Sequence, residues 1–339
     1  MKNKNDADPK NGRRTPLIGA QVSTAGGFAP VPERAVAMGA EAVQVFSSNP
    51  RTWQTRWPEP EETDALVHGL AERHLPLFFH TIYLINMASP DEALRYRSAQ
   101  ALAHALALGA LAGAAGVVTH VGSHRGDGFE QARGRVVETA LHSVELAEQS
   151  CVAQGFEPRL PPLLLETTVG AGAVVGGCLD EVAVMVDDIS TALDGRIAMG
   201  ICLDTAHLFA AGYPIHEADG LDSFIEALGA HGLSGKTGLV HLNDSSAAFA
   251  SHRDRHENPG DGCIGYEGLG RVVRHPALSA VPFVLEVPGA DGRGPDAANV
   301  AVVKRMRQGK ALRESAGARK VRRARVEARD RPAGPAPDA

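Results

Sequence analysis

Eight short apolar runs recur along the chain, each followed by loop residues and then by a stretch with helical periodicity. The runs are LIGAQV (17–22), AVQVF (42–46), PLFFH (76–80), GVVTH (116–120), PLLLE (162–166), GICLD (200–204), GLVHL (238–242) and VPFVLE (281–286). Apolar strands that alternate with amphipathic helices are typical of parallel strands covered on both faces. Eight such units predict a single α/β domain, a (β/α)8 TIM barrel. An open doubly wound sheet is the alternative, although no GxGxxG fingerprint follows the first run.

Composition narrows the class of protein. The chain has 339 residues, 44% of them hydrophobic, and no apolar run long enough to cross a membrane. We therefore expect a globular protein with a large core and no membrane partner. Residues 1–15 form a polar extension without the apolar segment of a secretory signal, so a cytoplasmic location is predicted. Four cysteines without a CxxC pair fit a reducing compartment.

Charge is unevenly distributed between the body of the chain and its end. Residues 304–331 contain twelve Lys or Arg against three Asp or Glu, whereas residues 1–303 carry a formal charge of −14. We predict that residues 16–311 form the barrel and that 312–339, basic and then Pro/Ala-rich, form a disordered tail. The tail is either simply solvated or an auxiliary contact for an anionic polymer. An acidic body is unusual for a nucleic-acid-binding protein unless bound cations neutralise part of it.

Imidazole and carboxylate side chains stand at or next to the ends of six successive predicted strands. They are spaced 37 to 46 residues apart, one in each βα unit: His80, His120, Glu166, Asp204, His241 and Glu286. In a TIM barrel these ends open onto one face, where active sites are built. A single histidine at such a position is commonly an ordinary core residue. Six such groups in one pocket would repel or be poorly solvated unless cations bound them.

Loop residues extend this set of candidate ligands. His207 lies three residues beyond Asp204, and Asp254 and His256 follow the seventh predicted strand. Nine candidates are too many for one zinc ion, which takes three or four protein groups, and they suit a cluster of two or three. The share of imidazole favours zinc or another transition metal over Mg²⁺ or Ca²⁺. We therefore predict a metal site at the C-terminal face of the strands.

Longer motifs make residues 17–305 similar to a known family. The chain resembles the endonuclease IV family of apurinic/apyrimidinic (AP) endonucleases, which have xylose-isomerase-like TIM barrels. The matching stretches are IGAQVSTAGGF (18–28), NPRTW (49–53), HTIYLIN (80–86), HVGSH (120–124), LLETTVGAG (164–172), CLDTAHLFAAGY (202–213), HLNDS (241–245) and DRHENPGDGCIG (254–265). VSTAGG alone could be any glycine-rich turn, whereas CLDTAHLFAAGY followed by DRHENPGDG is specific. The resemblance implies a monomer with three zinc ions, one of them replaceable by Mn²⁺.

The resemblance also implies which residues hold each ion. One zinc would be bound by His80, His120 and Glu166; a second by Glu166, Asp204, His241 and Glu286; and a third by His207, Asp254 and His256. All nine positions carry the residue type found in the family. Glu166 would bridge two ions and orient or deprotonate the attacking water, or act only as a ligand. Asp244 and His252 would be loop residues or lie behind the ligands.

The activity implied is zinc-dependent hydrolysis of the phosphodiester 5′ to an abasic site in double-stranded DNA. The products would be a 3′-hydroxyl and a 5′-deoxyribose phosphate, and blocked 3′ ends would also be repaired. Inserted side chains can hold DNA in a kink while the abasic nucleotide is flipped out. Arg51, Tyr83 and Leu84 occupy the family's inserted positions. Alternatively, Tyr83 and Leu84 pack within a loop and Arg51 contacts a phosphate at the surface. Binding to DNA would place the enzyme at the nucleoid.

Some positions depart from the family pattern, and two other functions compete. Thr167, Ala171, Val121 and Ser246 replace the usual Asn, Gln, Pro and Lys, changes that could alter contacts with DNA. A sugar isomerase or epimerase of the same superfamily would need an oxygen-rich site of four carboxylates and one histidine. That function leaves the loop ligands without a role. A zinc-bearing scaffold or DNA-binding protein that has lost activity is the second alternative.

Overall fold

Eight parallel strands close into a barrel in the computed structural model, which describes residues 15–311. The barrel strands are β1 (Ile18–Gln21), β2 (Val43–Phe46), β3 (Leu77–His80), β4 (Gly116–Thr119), β5 (Leu163–Glu166), β6 (Met199–Asp204), β7 (Thr237–His241) and β10 (Phe283–Leu285). Pairing of β1 with β10 completes the ring, so the predicted TIM barrel is confirmed and the open sheet is wrong. The predicted tail and all but one residue of the predicted N-terminal extension lie outside the described residues.

Helices connect the strands and cover the barrel. They are α1 (Val31–Met38), α2 (Pro60–Ala71), α3 (Glu92–Ala112), α4 (Phe129–Ala153), α5 (Leu179–Leu193), α6 (Thr205–Ala211), α7 (Ala218–Ala230), α8 (Gly265–Arg274) and α9 (Ala297–Arg307), with short 3-10 turns at Ser234–Lys236 and Pro276–Leu278. Helix α6 starts directly after β6 because the Asp204 carboxylate accepts a hydrogen bond from the backbone N–H of His207, at 2.8 Å. Within 15–311, no helix is both long and apolar enough to cross a membrane.

The side chains of each strand alternate between the helices and the inside of the barrel. On β5, Leu163 and Leu165 belong to the core beneath the helices, and Leu164 packs inside the barrel. A Cβ added to Gly116, Gly200 or Gly238 would lie at most 3.0 Å from the Leu164 side chain. These three glycines therefore make room for one large side chain at the centre of the barrel. Continuing the alternation along β5, Glu166 also points inward, one layer closer to the C-terminal face.

A small antiparallel pair stands in the connection that follows β7. It consists of β8 (Asp244–Ser245) and β9 (His256–Glu257), in which Asp244 pairs with Glu257 and Ser245 with His256. The apolar pattern of the sequence did not predict this pair, because two-residue strands are too short to show a period. The pairing brings the loop ligands of the third predicted ion back to the mouth of the barrel.

Candidate metal centre

All nine predicted ligands are brought together at the C-terminal mouth of the barrel. Three ligand groups can be distinguished, as the resemblance implies: the first (His80, His120, Glu166), the second (Glu166, Asp204, His241, Glu286) and the third (His207, Asp254, His256). Strand register explains part of this convergence, since Asp204 pairs with His241 on the neighbouring strand. The strand ends therefore present their polar side chains at one level of the barrel.

The first ligand group is built around one oxygen of Glu166. Oε2 of Glu166 lies 3.0 Å from Nε2 of His80 and 3.3 Å from Nε2 of His120. The Nδ1–H of His80 donates to the carbonyl oxygen of Thr81, at 2.7 Å. That bond fixes the ring and leaves Nε2 facing the carboxylate, which is the arrangement found for metal-bound histidines.

The second ligand group uses the other oxygen of the same carboxylate. Nδ1 of His241 lies 3.1 Å from Oε1 of Glu166, 3.2 Å from Oε2 of Glu286 and 3.9 Å from Oδ2 of Asp204. One imidazole nitrogen thus faces three carboxylates, and Glu166 contributes one oxygen to each of two groups. This is the geometry expected of a bridging carboxylate.

The third ligand group combines two histidines with an exposed aspartate. Asp254 lies 3.3 Å from Nε2 of His207 through Oδ2 and 3.3 Å from Nε2 of His256 through Oδ1. The two Nε2 atoms are 3.4 Å apart. Their Nδ1 atoms donate to the carbonyls of Thr167 and Glu286, so both Nε2 atoms are directed into the group. Two protonated Nε2 atoms would repel at this distance, whereas a cation between them would satisfy both.

Asp204 also approaches the third ligand group, which the sequence did not predict. Its Oδ2 lies 3.5 Å from Nε2 of His256. The candidate ligand atoms of Asp204, His207 and His256 lie within 4.8 Å of one another. Asp204 is fully buried, whereas the side chain of Asp254 is 55% exposed. The second and third groups are therefore adjacent, with Asp204 between them.

The electrostatics of the mouth call for positive charge. Burial alone would raise the pKa of Glu166, but the surrounding histidines, led by His120 and His241, hold it well below its usual value. Burial alone would lower the pKa of His207, but Asp204, Asp254 and Glu166 raise it well above the usual range. Buried carboxylates stay ionised only when cations stand beside them. Groups of three or four imidazole and carboxylate ligands fit zinc.

Asp244 organises the loop that carries Asp254 and His256. Its buried carboxylate accepts backbone N–H bonds from Gly260 and Gly262 on one oxygen and from Ile264 on the other, at 2.9–3.0 Å. Burial raises the pKa of this carboxyl, while the backbone amides oppose the rise. The expectation that Asp244 supports the loop rather than binds metal agrees with these contacts.

Asn243 contacts two candidate ligands, and the sequence reasoning missed it. Its Nδ2 donates to Oδ2 of Asp204 at 2.6 Å, and its Oδ1 accepts from the backbone N–H of Glu286 at 2.8 Å. Two ligands of the second group are therefore positioned by one amide. The residue stands between His241 and Asp244 in the HLND motif, and that position is the only sequence signal for it.

The three residues predicted to contact DNA lie on or near a cavity beside the ligands. The cavity, of about 640 Å³, is bounded by His120, His207, Tyr83 and Leu84, among others. Tyr83 is 55% exposed, and its ring packs edge-on against Phe46, with ring centres 5.2 Å apart. Arg51 is exposed in the neighbouring loop, whose Pro50 carbonyl accepts a hydrogen bond from the backbone N–H of Tyr83.

Comparison with known proteins assigns this architecture to a family. Residues 32–309 match the family model for the xylose isomerase-like TIM barrel. Over 293 residues the chain is 35% identical to a protein of Halothermothrix orenii named "Probable endonuclease 4", covering 85% of this chain and 99% of that protein. A protein of the same name from Methanoculleus marisnigri is 37% identical over 292 residues, covering 86% and 98%. The chain belongs to the endonuclease IV family.

A solved structure of the endonuclease IV family supports the same conclusion. The crystal structure of endonuclease IV from Thermus thermophilus matches with a TM-score of 0.72 and 35% identity, covering 87% of this chain and all of that one. A D-tagatose 3-epimerase-like protein matches at 16% identity and a TM-score of 0.59, a likeness that shows the fold alone. The chain is thus a hydrolase, a nuclease of the deoxyribonuclease IV type, and the predicted family is confirmed.

Proposed function

We propose that this member of the endonuclease IV family is a zinc-dependent AP endonuclease of DNA repair. It would hydrolyse the phosphodiester 5′ to an abasic site in double-stranded DNA, leaving a 3′-hydroxyl and a 5′-deoxyribose phosphate. It would also remove phosphates and phosphodiesters that block 3′ ends. The observation that carries the proposal is Glu166, whose two oxygens join two ligand groups in one buried cluster.

The donor set supports three zinc ions, with Mn²⁺ possible at one site. The first, second and third ligand groups would each hold one ion, and Glu166 would be shared between the first two. Bound zinc lowers the pKa of water and stabilises negative charge on a phosphate, which is the chemistry that phosphodiester hydrolysis requires. Three such ions also add six positive charges to an acidic chain, which favours contact with a polyanion.

The side chains around the ions have separate tasks in this proposal. Glu166 is the proposed catalytic carboxylate, because the first and second ligand groups share it; whether it also orients or deprotonates water stays a prediction. Thr81 and Thr167 hold the rings of His80 and His207 through their backbone carbonyls, so each imidazole presents Nε2 to the site. Preorganised ligands of this kind avoid reorientation during the reaction.

The cavity beside the third ligand group supports recognition of an unstacked nucleotide. An abasic nucleotide has lost its base, so flipping it out of the duplex costs less than flipping a paired one. Tyr83 is exposed at the cavity and Leu84 lines it, positions suited to filling the gap left in the duplex. Arg51 would contact the DNA backbone or enter the duplex. A monomer acting in the cytoplasm, at the nucleoid, remains our expectation.

The proposal is tested with a duplex that carries one synthetic abasic site. Purified protein is incubated with it in EDTA without added metal, the product ends are identified by mobility, and zinc is measured by elemental analysis. Incision 5′ to the lesion that is lost in His120→Ala is the expected result. Incision by neither protein, with about three zinc ions per chain present, would refute the proposed activity. Binding of abasic DNA without incision by such a protein would instead identify a zinc-bearing scaffold.

A further inference from the structure

Gln44 is buried at the mouth of the barrel on β2, a strand that supplies none of the nine ligands. Its side chain has no exposed surface, and its amide makes three hydrogen bonds, all to other side chains. Nε2 donates to Oε1 of Glu286 at 2.5 Å and to Oε1 of Gln21 at 2.9 Å. Oε1 accepts from Nε2 of His241 at 2.9 Å. Two of the three partners belong to the second ligand group.

In a neutral His241 ring, these contacts place the hydrogen on Nε2. An ionised carboxylate only accepts hydrogen bonds, so the Gln44 amino group must face Glu286 and its carbonyl oxygen must face His241. His241 then donates from Nε2. Its Nδ1, the atom that faces the three carboxylates of the second group, is left with a lone pair to offer a cation. A neutral ring with the opposite tautomer would direct an N–H at the site and could not bind metal through that atom.

Gln21 completes the arrangement from the adjacent strand. Gln21 and Gln44 are register partners on β1 and β2, and the second hydrogen of the Gln44 amino group is donated to Gln21. Both hydrogens of the Gln44 amino group and its carbonyl oxygen are therefore engaged. β1 and β2, the two barrel strands without ligands, thus each contribute one glutamine behind the second ligand group.

We infer that Gln44 is a positioning residue of the second ligand group: it selects the metal-binding tautomer of His241 and holds Glu286 beside it. The inference rests on the metal sites of the proposed function, not on the DNA substrate. Residues behind metal ligands commonly change metal affinity by about 10–100-fold when replaced. Removing the amide should therefore loosen one ion and leave the others in place.

Zinc release from the full-length holoenzyme tests the inference. Gln44→Leu removes all three hydrogen bonds at similar volume, Gln21→Leu removes only the supporting contact, and Gln100→Leu changes an exposed glutamine of α3 as a matched control. Zinc transfer to a chromogenic chelator is followed with time, together with the melting temperature. We expect about one equivalent of zinc to leave roughly 10–100-fold faster in Gln44→Leu, with a smaller change in Gln21→Leu and none in Gln100→Leu.

Several results separate this inference from its competitors. Zinc release from Gln44→Leu at the wild-type rate would overturn it, and so would equal acceleration of all equivalents with a lowered melting temperature. If Gln44→Leu does not fold, Gln44→Glu gives the same test, because a second carboxylate oxygen facing Glu286 should also speed release of one equivalent. A wild-type protein that holds zinc without cutting abasic DNA would refute the proposed function and leave this test intact.

Discussion

The ligands of the metal centre are held in two different ways. Of the strand-end ligands, Glu166 and His241 have at most 1% of the side chain exposed and are fixed by the barrel itself, whereas His120 is 28% exposed. Those on the β7–α8 connection, Asp254 and His256, are 55% and 19% exposed. Their position depends on the β8–β9 pair and on Asp244. We therefore expect the buried strand-end ligands to behave as part of the core, and the position of the loop ligands to depend on the structure of their loop.

The largest loss of activity is expected from replacing Glu166, the carboxylate shared by the first and second ligand groups. Glu166→Gln removes the charge of the shared carboxylate and leaves its volume unchanged. Because the first and second ligand groups both lose an anionic donor, incision should fall by about 10³-fold or more, and bound zinc should fall by more than one equivalent. The measurements are kcat/KM on abasic duplex and zinc per chain. A variant with full zinc and wild-type activity would show that the groups are not joined through Glu166.

Replacing Asp244 tests whether the loop ligands depend on the structure of their loop. Asp244→Ala leaves several buried backbone N–H groups without an acceptor, and each such loss costs on the order of 1–3 kcal/mol, so stability should fall by about 3 kcal/mol or more. If the two halves are separable, the protein should lose the zinc of the third ligand group first. Urea unfolding and zinc analysis measure both effects. Ser246→Ala, in the same loop, is the control and should change neither.

Metal removal compares the two halves within one molecule. When the protein is diluted into chelator, the zinc held by the third ligand group should be released about 10-fold or more faster than the other zinc, because one of its ligands is largely exposed. Asp254→Asn should accelerate only that phase, by roughly 10–100-fold. Stopped-flow absorbance of a chromogenic chelator follows the release. If all zinc is released in a single phase in both wild type and variant, the strand-end and loop ligands do not hold their ions differently.

A smaller effect is expected at the exposed rim. Tyr83→Ala removes a ring that is not part of any ligand group, so zinc content should stay unchanged, while loss of the contact with Phe46 should lower stability slightly. Loss of one stacking contact costs on the order of 1–3 kcal/mol, so the KM for abasic duplex should rise about tenfold with little change in kcat. Steady-state incision kinetics give both constants. An unchanged KM would indicate that Tyr83 packs within its loop and does not contact DNA.

A buried histidine away from the mouth of the barrel, His104, has its pKa shifted in the opposite direction to that of His207. His104 on α3 packs against Trp57, and burial lowers its pKa to about 4. The folded state then keeps His104 neutral while the unfolded chain, with a pKa near 6.5, takes up a proton. This contribution to stability is complete above pH 6.5 and declines as pH falls toward 4, by about 2 kcal/mol at pH 5. When the pH is lowered from 7.5 to 5, the free energy of unfolding of His104→Leu should therefore fall by about 2 kcal/mol less than that of the wild type. Equal losses would contradict the lowered pKa.

Most of the fold, and the convergence of the nine side chains at the mouth of the barrel, could be predicted from the sequence, because both leave periodic signals. Strands recur at regular spacing, and the polar residue that ends each one interrupts an apolar run. Gln44 and Asn243 leave no such signal: one looks like a stray polar residue in a strand and the other like a loop residue. Their roles follow from contacts with residues distant in the chain, such as Glu286, which only the folded barrel brings near.

Departures from the family pattern are explained in part by the same contacts. The hydroxyl of Thr167 accepts the backbone N–H of Asp204 at 3.0 Å, so threonine at this position still positions a ligand. Val121 is buried, and its carbonyl accepts the backbone N–H of Met87, a bond that proline would also allow, so the replacement stays unexplained. Nothing in the structure explains Ala171 or Ser246.

The glycines around Leu164 have a consequence for how this protein can diversify. A Cβ at Gly116, Gly200 or Gly238 would lie at most 3.0 Å from the end of the Leu164 side chain, which would have to move, two residues along β5 from Glu166. The interior of the barrel can therefore accept added volume at these positions only if Leu164 moves, even where no ligand is touched. The loops around the cavity do not take part in this packing, so substitutions there can change what the cavity accepts and leave the interior as it is.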